Sequence, residues 1–201
     1  MKQPLIILTG ATAVGKTELS LHLAKQVNGA IISADSMQVY KYMDIGTAKI
    51  KPDKMQGVRH YLIDELEPDE AFNVVRFQQE AKRCMREIYE NGQIPILTGG
   101  TGFYIQAVLY DIDFSSQEAD DTYRQKLEAL AAQHGSIYLH ELLKQVDPAS
   151  AAAIHANNKK RLIRALEFFW LTGTRISEHN EREHQKQSPY NAAYFVLDDS
   201  R

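Results

Sequence analysis

The spacing of apolar residues changes twice along this chain. Up to about residue 110, short apolar runs alternate with stretches of helical period. The runs are Leu5-Ile6-Ile7-Leu8, Ala30-Ile31-Ile32-Ser33, Arg59-His60-Tyr61-Leu62-Ile63-Asp64 and Ile94-Pro95-Ile96-Leu97-Thr98. Each has strand length and strand composition. Between them, Leu19, Leu23 and Val27 predict a half-buried helix over 18–27. Val74, Phe77, Ala81, Cys84 or Met85, and Ile88 predict a second over 72–89, capped by Asn73 and closed by Gly92. Pro95 requires a strand start or an unpaired N–H. Alternation of this kind predicts an α/β core around a parallel sheet.

From Ser115 the short runs stop, and helical periods follow one another over 118–133, 136–145, 148–156, 158–171 and 176–184. Strand character returns only at 190–197. The pattern predicts an α/β core over 1–114, an inserted all-helical sub-domain over 115–190 and a return strand over 191–201. A chain that stops directly after that strand, with no helix to cover it, reads as a piece of a longer protein.

The first strand-to-helix junction carries the sharpest chemistry. Gly10-Ala11-Thr12-Ala13-Val14-Gly15-Lys16-Thr17 fits G-x-x-x-x-G-K-[ST], and it lies between a strand and a helix as a phosphate loop requires. The glycines let successive N–H groups turn toward one anion, and the helix adds its positive end. Lys16 supplies a mobile charge, and the Thr17 hydroxyl is placed to ligate a phosphate-bound Mg²⁺. The loop specifies a diphosphate or triphosphate but not what it is attached to.

Two more junctions fall on the same edge, because ligands in parallel sheets sit beyond the carboxyl ends of the strands. Asp35 follows the second run and is either a base or metal ligand or a turn residue. Gly99-Gly100-Thr101-Gly102-Phe103-Tyr104 follows the fourth run. Its glycines allow close approach of the backbone, and Thr101 either donates to a phosphate oxygen or caps the next helix. Asp64, after the third run, only weakly resembles a Walker B aspartate. His22 and His60 have no second ligand at metal spacing and read as structural or surface residues.

Composition narrows the setting. The chain has 201 residues, an apolar fraction of 44%, and a formal net charge of −3. That allows one domain with a sub-domain, and it requires any basic surface to be local. The single Cys84 excludes an internal disulfide and reads as a small core residue. No apolar stretch approaches the roughly 20 residues of a membrane span, and the N-terminus lacks a signal-peptide pattern. The expectation is a cytoplasmic monomer.

The local basic surface is at 158–171. At 100° per residue, Lys160, Arg161 and Arg164 share one arc, joined by Lys159, while Leu162, Ile163, Leu166, Phe169 and Trp170 fall on the opposite, core-facing arc. Such a face either contacts nucleic-acid phosphates or is simply solvated. Arg124 is a similar isolated cation.

Taken together, the phosphate loop, Asp35-Ser36-Met37-Gln38-Val39-Tyr40, Met43-Asp44-Ile45-Gly46-Thr47-Ala48-Lys49, Gly99 to Tyr104 and Arg161-Leu162-Ile163-Arg164-Ala165-Leu166-Glu167 closely resemble the bacterial tRNA dimethylallyltransferase family. The resemblance covers essentially the whole chain. It implies a P-loop NTPase-like fold and transfer of a dimethylallyl group from dimethylallyl diphosphate to N6 of an adenosine beside the tRNA anticodon, with Mg²⁺. It implies Asp35 as general base, and Ser36, Met37 and Gln38 as the rest of the tRNA-contacting loop. It further implies Lys16 and Thr101 at the diphosphate leaving group, and Arg124, Lys160, Arg161, Leu162, Ile163 and Arg164 as tRNA contacts. Family members continue beyond this length with a segment that completes the tRNA surface, and position 158, here Asn158, is more usually aspartate.

Other classes share parts of this pattern. An ATP-dependent small-molecule kinase would have the same loop and a carboxylate after the second strand. A nucleotide-binding switch would need a clear Walker B aspartate. An enzyme prenylating free adenine nucleotides would not need the basic helical insertion.

Overall fold

A computed structural model describes residues 2–114 and 121–198. The chain divides into two units, one formed by residues up to Ile112 together with those from Gln187 onward, the other by Asp113–Lys186. Of the predicted segments, 115–120, including the start of the helix expected from 118, and 199–201 lie outside the described residues.

The first unit is the expected α/β core. Its five strands are β1 (Pro4–Gly10), β2 (Gly29–Ser33), β3 (His60–Tyr61), β4 (Ile94–Gly99) and β5 (Asn191–Leu197). They form one parallel sheet in the order β3-β2-β4-β1-β5. Leu5, Ile7, Leu8, Ile31, Ile32, Ile96 and Leu97 are almost wholly buried, as continuous apolar strands covered on both faces should be. Each such side chain contributes about 1.5–3 kcal/mol by leaving water. Pro95 sits at the second position of β4, before pairing with β1 begins at Ile6↔Ile96, so its missing N–H costs no bond to that neighbour.

Helix α1 (Lys16–Val27) differs in phase from the expectation. Its buried residues are Ser20, Leu21 and Ala24, while Leu19 is 37% exposed. Helix α2 (Val74–Glu90) buries the expected stripe, and the Asn73 side chain accepts from Arg76 N at 3.0 Å. The Cys84 thiol lies in that stripe, and burial pushes its pKa up to about 12, which leaves it unreactive near neutral pH. Helix α3 (Gly102–Leu109) packs on α2 through a stack of Phe77 on Tyr104 at 4.5 Å. Gln78, on α2, donates to the carbonyls of Ala107 and Ile112.

The third run is shorter than its apolar pattern suggests. β3 covers two residues, because Leu62 and Asp64 take left-handed backbone angles (φ 60° and 56°) and turn the chain out of the sheet. β5 pairs with β1 along its length, yet Tyr194, Phe195 and Val196 are about half exposed or more.

The second unit holds α4 (Asp121–His134), α5 (Ser136–Val146), α6 (Pro148–Ala153), α7 (Lys159–Thr172) and α8 (Ile176–Gln185). Leu127, Ala131, Leu139, Leu143, Leu162, Ile163 and Leu166 form its core. The Asp147 carboxylate is buried and caps α6 and α8 at once, accepting from the N–H and hydroxyl of both Ser150 and Ser177. Among the described residues no helix is long and apolar enough to cross a membrane.

Candidate active site

The phosphate loop leaves β1 at Gly10, where φ is 144° and a Cβ would stand 2.2 Å from the Leu197 carbonyl oxygen. Only glycine fits so close to β5. Ala13 and Gly15 also take positive φ, and no side chain caps the α1 N-terminus. Its first-turn N–H groups therefore face the loop without a side-chain acceptor, which is what an anion site needs. The Lys16 ammonium folds back over the loop and donates to the carbonyls of Gly10 at 2.9 Å and Ala11 at 2.5 Å. Partial burial lowers its pKa, and the charge of Asp35 opposes that. A diphosphate would replace those neutral acceptors with charged oxygens, which bind an ammonium more strongly.

The three junctions meet through the backbone. Thr9 and Gly99 are register partners, and the Thr9 hydroxyl donates to the Gly99 carbonyl at 3.0 Å. A Cβ on Gly99 would stand 2.3 Å from the Ala34 carbonyl oxygen. That same oxygen accepts from Thr101 N at 3.3 Å, and Ala34 N donates to the Thr98 carbonyl at 2.7 Å. The glycine is thus the residue that lets the ends of β2 and β4 touch, setting Asp35 and Thr101 side by side in the chain path. Thr101 occupies the N-cap position of α3 but its side chain makes no capping bond, so the plain-cap alternative is not the one adopted.

Asp35 is held by its own turn. Oδ1 accepts from Met37 N at 2.9 Å and Gln38 N at 3.3 Å, and no bond within the turn engages Oδ2. Ser36 is half-buried and Met37 exposed. Gln38 points inward: its Oε1 accepts from the Ser33 hydroxyl and its Nε2 donates to the Thr47 carbonyl, both at 2.9 Å. The side chain of Gln38 therefore braces the loop that carries Asp35.

Asp64 is paired with a lysine. Lys49, almost fully buried, donates to Asp64 Oδ1 at 2.5 Å, to Asp44 Oδ1 at 2.9 Å and to the Tyr40 carbonyl at 2.8 Å. Its burial lowers the ammonium pKa, but the two carboxylates outweigh that and raise it. Sequence reasoning missed this clamp. The signal was an otherwise unexplained lysine in a loop between two aspartates.

Thr17, Ser20, Ser33, Gln38, His60 and Thr98 bring polar groups to a small cavity of about 30 Å³ beside the loop. His60 is structural: Nδ1 bonds the Val58 carbonyl at 2.9 Å, which requires the proton on that nitrogen. Burial lowers its pKa and keeps the ring neutral. Among the described residues no three His, Cys, Asp or Glu side chains gather to hold an ion. A divalent cation here would take the Thr17 hydroxyl together with phosphate oxygens and water, a donor set that suits Mg²⁺.

In the helical unit, Lys159, Lys160, Arg161 and Arg164 are exposed on α7. Three of them lie in its first turn, which contains no acid. Cations at the positive end of a helix are unfavourable by a few tenths of a kcal/mol each, so nothing within the helix explains them. Leu162 and Ile163, expected among the tRNA contacts, have their side chains buried in the helical core, where they hold α7 in place. Trp170, expected to face that core, is 64% exposed. Phe168 takes the buried position instead. Arg124 lies on α4, 3.8 Å from Glu128, and close enough to Arg164 to disfavour its charge.

Known proteins resolve what the geometry leaves open. The model of the IPP transferase family matches residues 38–201. This chain belongs to that family. A tRNA dimethylallyltransferase of Lachnoclostridium phytofermentans is 63% identical over 199 residues, covering 99% of this chain and 64% of that protein. One from Bacillus pumilus is 52% identical over 196 residues, covering 98% and 61%. The chain thus spans about six tenths of the length of the curated relatives it matches. Among solved structures, the full-length tRNA isopentenylpyrophosphate transferase of Bacillus halodurans is 45% identical, with a TM-score of 0.61 over 98% of this chain and 60% of that one. A eukaryotic dimethylallyltransferase, captured acting on tRNA, is 30% identical with a TM-score of 0.84, over 97% of this chain and 48% of its own. The core is accordingly the P-loop NTPase-like fold of the IPP transferases.

Proposed function

We propose that the protein transfers a dimethylallyl group from dimethylallyl diphosphate to N6 of an adenosine next to the tRNA anticodon, releasing pyrophosphate. One observation carries the reading. The family's phosphate loop and the Asp35 turn meet at one sheet edge through Gly99, with the Asp35 charge acting on Lys16. Family membership favours this over phosphoryl transfer from ATP.

The chemistry follows from the groups present. An exocyclic amine is a poor nucleophile because its lone pair is delocalised into the ring. As N6 bonds to C1 of the allyl group, the C1–O bond breaks and its electron pair leaves with pyrophosphate. The Asp35 carboxylate takes the N6 proton. Lys16, the α1 N–H groups and the Thr101 hydroxyl stabilise the charge gathering on the leaving group. Thr17 would hold a phosphate-bound Mg²⁺, which adds further charge neutralisation there. The adenine must leave its stack to reach Asp35, and the cations of α7 and Arg124 would grip the surrounding phosphates.

The test is substrate choice. The protein is incubated with labelled dimethylallyl diphosphate, tRNA and Mg²⁺, and separately with ATP and small acceptors. Prenyl label entering tRNA is the expected result; phosphoryl transfer from ATP without prenyl transfer would sink the proposal. A second test concerns the basic face. Lys160→Gln, Arg161→Gln and Arg164→Gln together should weaken tRNA binding and flatten its salt dependence, by about 0.7–0.9 in log–log slope for each phosphate no longer neutralised. Unchanged affinity and slope would return that face to plain solvated surface.

A further inference from the structure

In the helical unit, the Trp170 indole lies flat on the Tyr123 ring, with centroids 4.6 Å apart and planes at 8°. The stack joins the C-terminal half of α7 to the first turn of α4. Tyr123 is half-buried and packs against the helical core, while Trp170 remains 64% exposed. A large aromatic ring is thus fixed in place on one face and left in water elsewhere. Fixing it beforehand removes most of the entropy a partner would otherwise lose in ordering it.

The same two helices carry cations, Arg124 on α4 and Arg164 on α7. Arg124 follows Tyr123 directly in the chain and acts on Arg164. Arg164 is exposed as a whole, but packing around its guanidinium lowers its pKa, Glu167 opposes this, and Arg124 lowers it further. Two guanidiniums near one another are relieved by an anion shared between them. Glu128 answers Arg124 only at 3.8 Å, too far for a close ion pair. Helix α7 as a whole carries Lys159, Lys160, Arg161 and Arg164 against Glu167.

We infer that Trp170, backed by Tyr123, is a stacking platform for one unpaired nucleobase of the RNA substrate, with Arg124 and Arg164 holding the adjoining phosphate. A nucleotide offers the flat π-face of its base to the indole and its phosphate to the guanidiniums, the two chemistries that α4 and α7 carry. A purely apolar peptide would satisfy the ring and leave the cations unanswered. The inference rests on the RNA reading above and adds Trp170 and Tyr123 to it.

Trp170 is the sole tryptophan of the chain, so its emission reports the contact directly. The protein is titrated with an end-labelled anticodon stem-loop RNA, following RNA anisotropy and Trp170 fluorescence together, and then with a fully paired duplex. The expected result is saturable quenching by the stem-loop at the concentrations where anisotropy rises, and little quenching by the duplex. Trp170→Leu, which keeps an apolar partner for Tyr123, should weaken stem-loop binding about 5- to 150-fold, and Trp170→Phe should restore most of it. Binding seen by anisotropy without quenching, and unchanged in Trp170→Leu, overturns the platform while leaving the RNA reading intact. Equal quenching by duplex overturns base stacking. Emission that shifts with protein concentration but not with RNA makes the patch a protein interface and also overturns it. No anisotropy change at any concentration removes both the platform and the RNA reading.

Discussion

Replacing Asp35 with asparagine is expected to lower kcat for prenyl transfer by about 10²- to 10⁴-fold, the usual contribution of a positioned base, with KM for dimethylallyl diphosphate near its original value. The substitution keeps Oδ1, so the bonds from Met37 N and Gln38 N that shape the turn survive. It removes the charge and the proton affinity. The loop proposed to bind the diphosphate is built on other residues, chiefly the α1 N-terminus and Lys16, so donor binding should not collapse with catalysis. Steady-state kinetics with labelled donor and tRNA separate the two. An unchanged kcat would exclude Asp35 as the base. A kcat intact alongside a large rise in donor KM would recast Asp35 as a partner of Lys16 in binding diphosphate.

The core was legible because its strands are apolar on both faces and its junctions are marked by glycine. Gly10 and Gly99 announce close backbone approach in the sequence, and the structure shows what each approaches: β5 in one case and Ala34 in the other. What period reading missed had a physical cause. In α1 the face toward the sheet carries Ser20 and Ala24, small residues that fit tightly against β2 and β4 but give no hydrophobic signal. The i, i+4, i+8 spacing of Leu19, Leu23 and Val27 therefore set the phase over Leu21, the one large apolar residue of the buried face. In the third run, Leu62 and Ile63 continue an apolar pattern while Leu62 and Asp64 turn left-handed, and Asp64 there pairs with Lys49 across the loop.

The same limits apply to the site. Asp35, Thr101 and the loop that leads to Lys16 stand out as candidates because each follows a strand. The bracing by Gln38 and the Lys49 clamp were not legible, since they are bonds to a hydroxyl, loop carbonyls and carboxylates that no spacing encodes. On α7 the helical period separated cations from core correctly through Leu166, but it failed at Trp170. Near a helix end the partner surface is set by the neighbouring helix, and Tyr123 of α4 draws the indole out onto a surface stack.

The second large effect concerns Asp147. Replacing it with alanine is expected to destabilise the helical unit by about 3–5 kcal/mol. The carboxylate is 1% exposed. Ser150 donates its N–H at 3.0 Å and its hydroxyl at 2.7 Å, and Ser177 does the same at 3.0 Å and 2.7 Å. Bonds to a charged acceptor contribute about 1.5–3 kcal/mol each, less when they share one group, and removing that acceptor strands two helix N-termini. Burial alone would raise the Asp147 pKa, but the bonds from Ser150 and Ser177 outweigh it and hold the pKa below its usual 3.8. A carboxylate with a lowered folded pKa contributes its full stability above the unfolded value and loses it as pH falls through the folded value. The gap between the two proteins should therefore be constant above about pH 5 and shrink below about pH 4. Denaturant unfolding followed by Trp170 emission, which reports this unit, checks both statements. Equal stability at neutral pH would show that other contacts hold α6 and α8. A gap undiminished in acid would place the cost in poorer packing, with the carboxylate's charge contributing little.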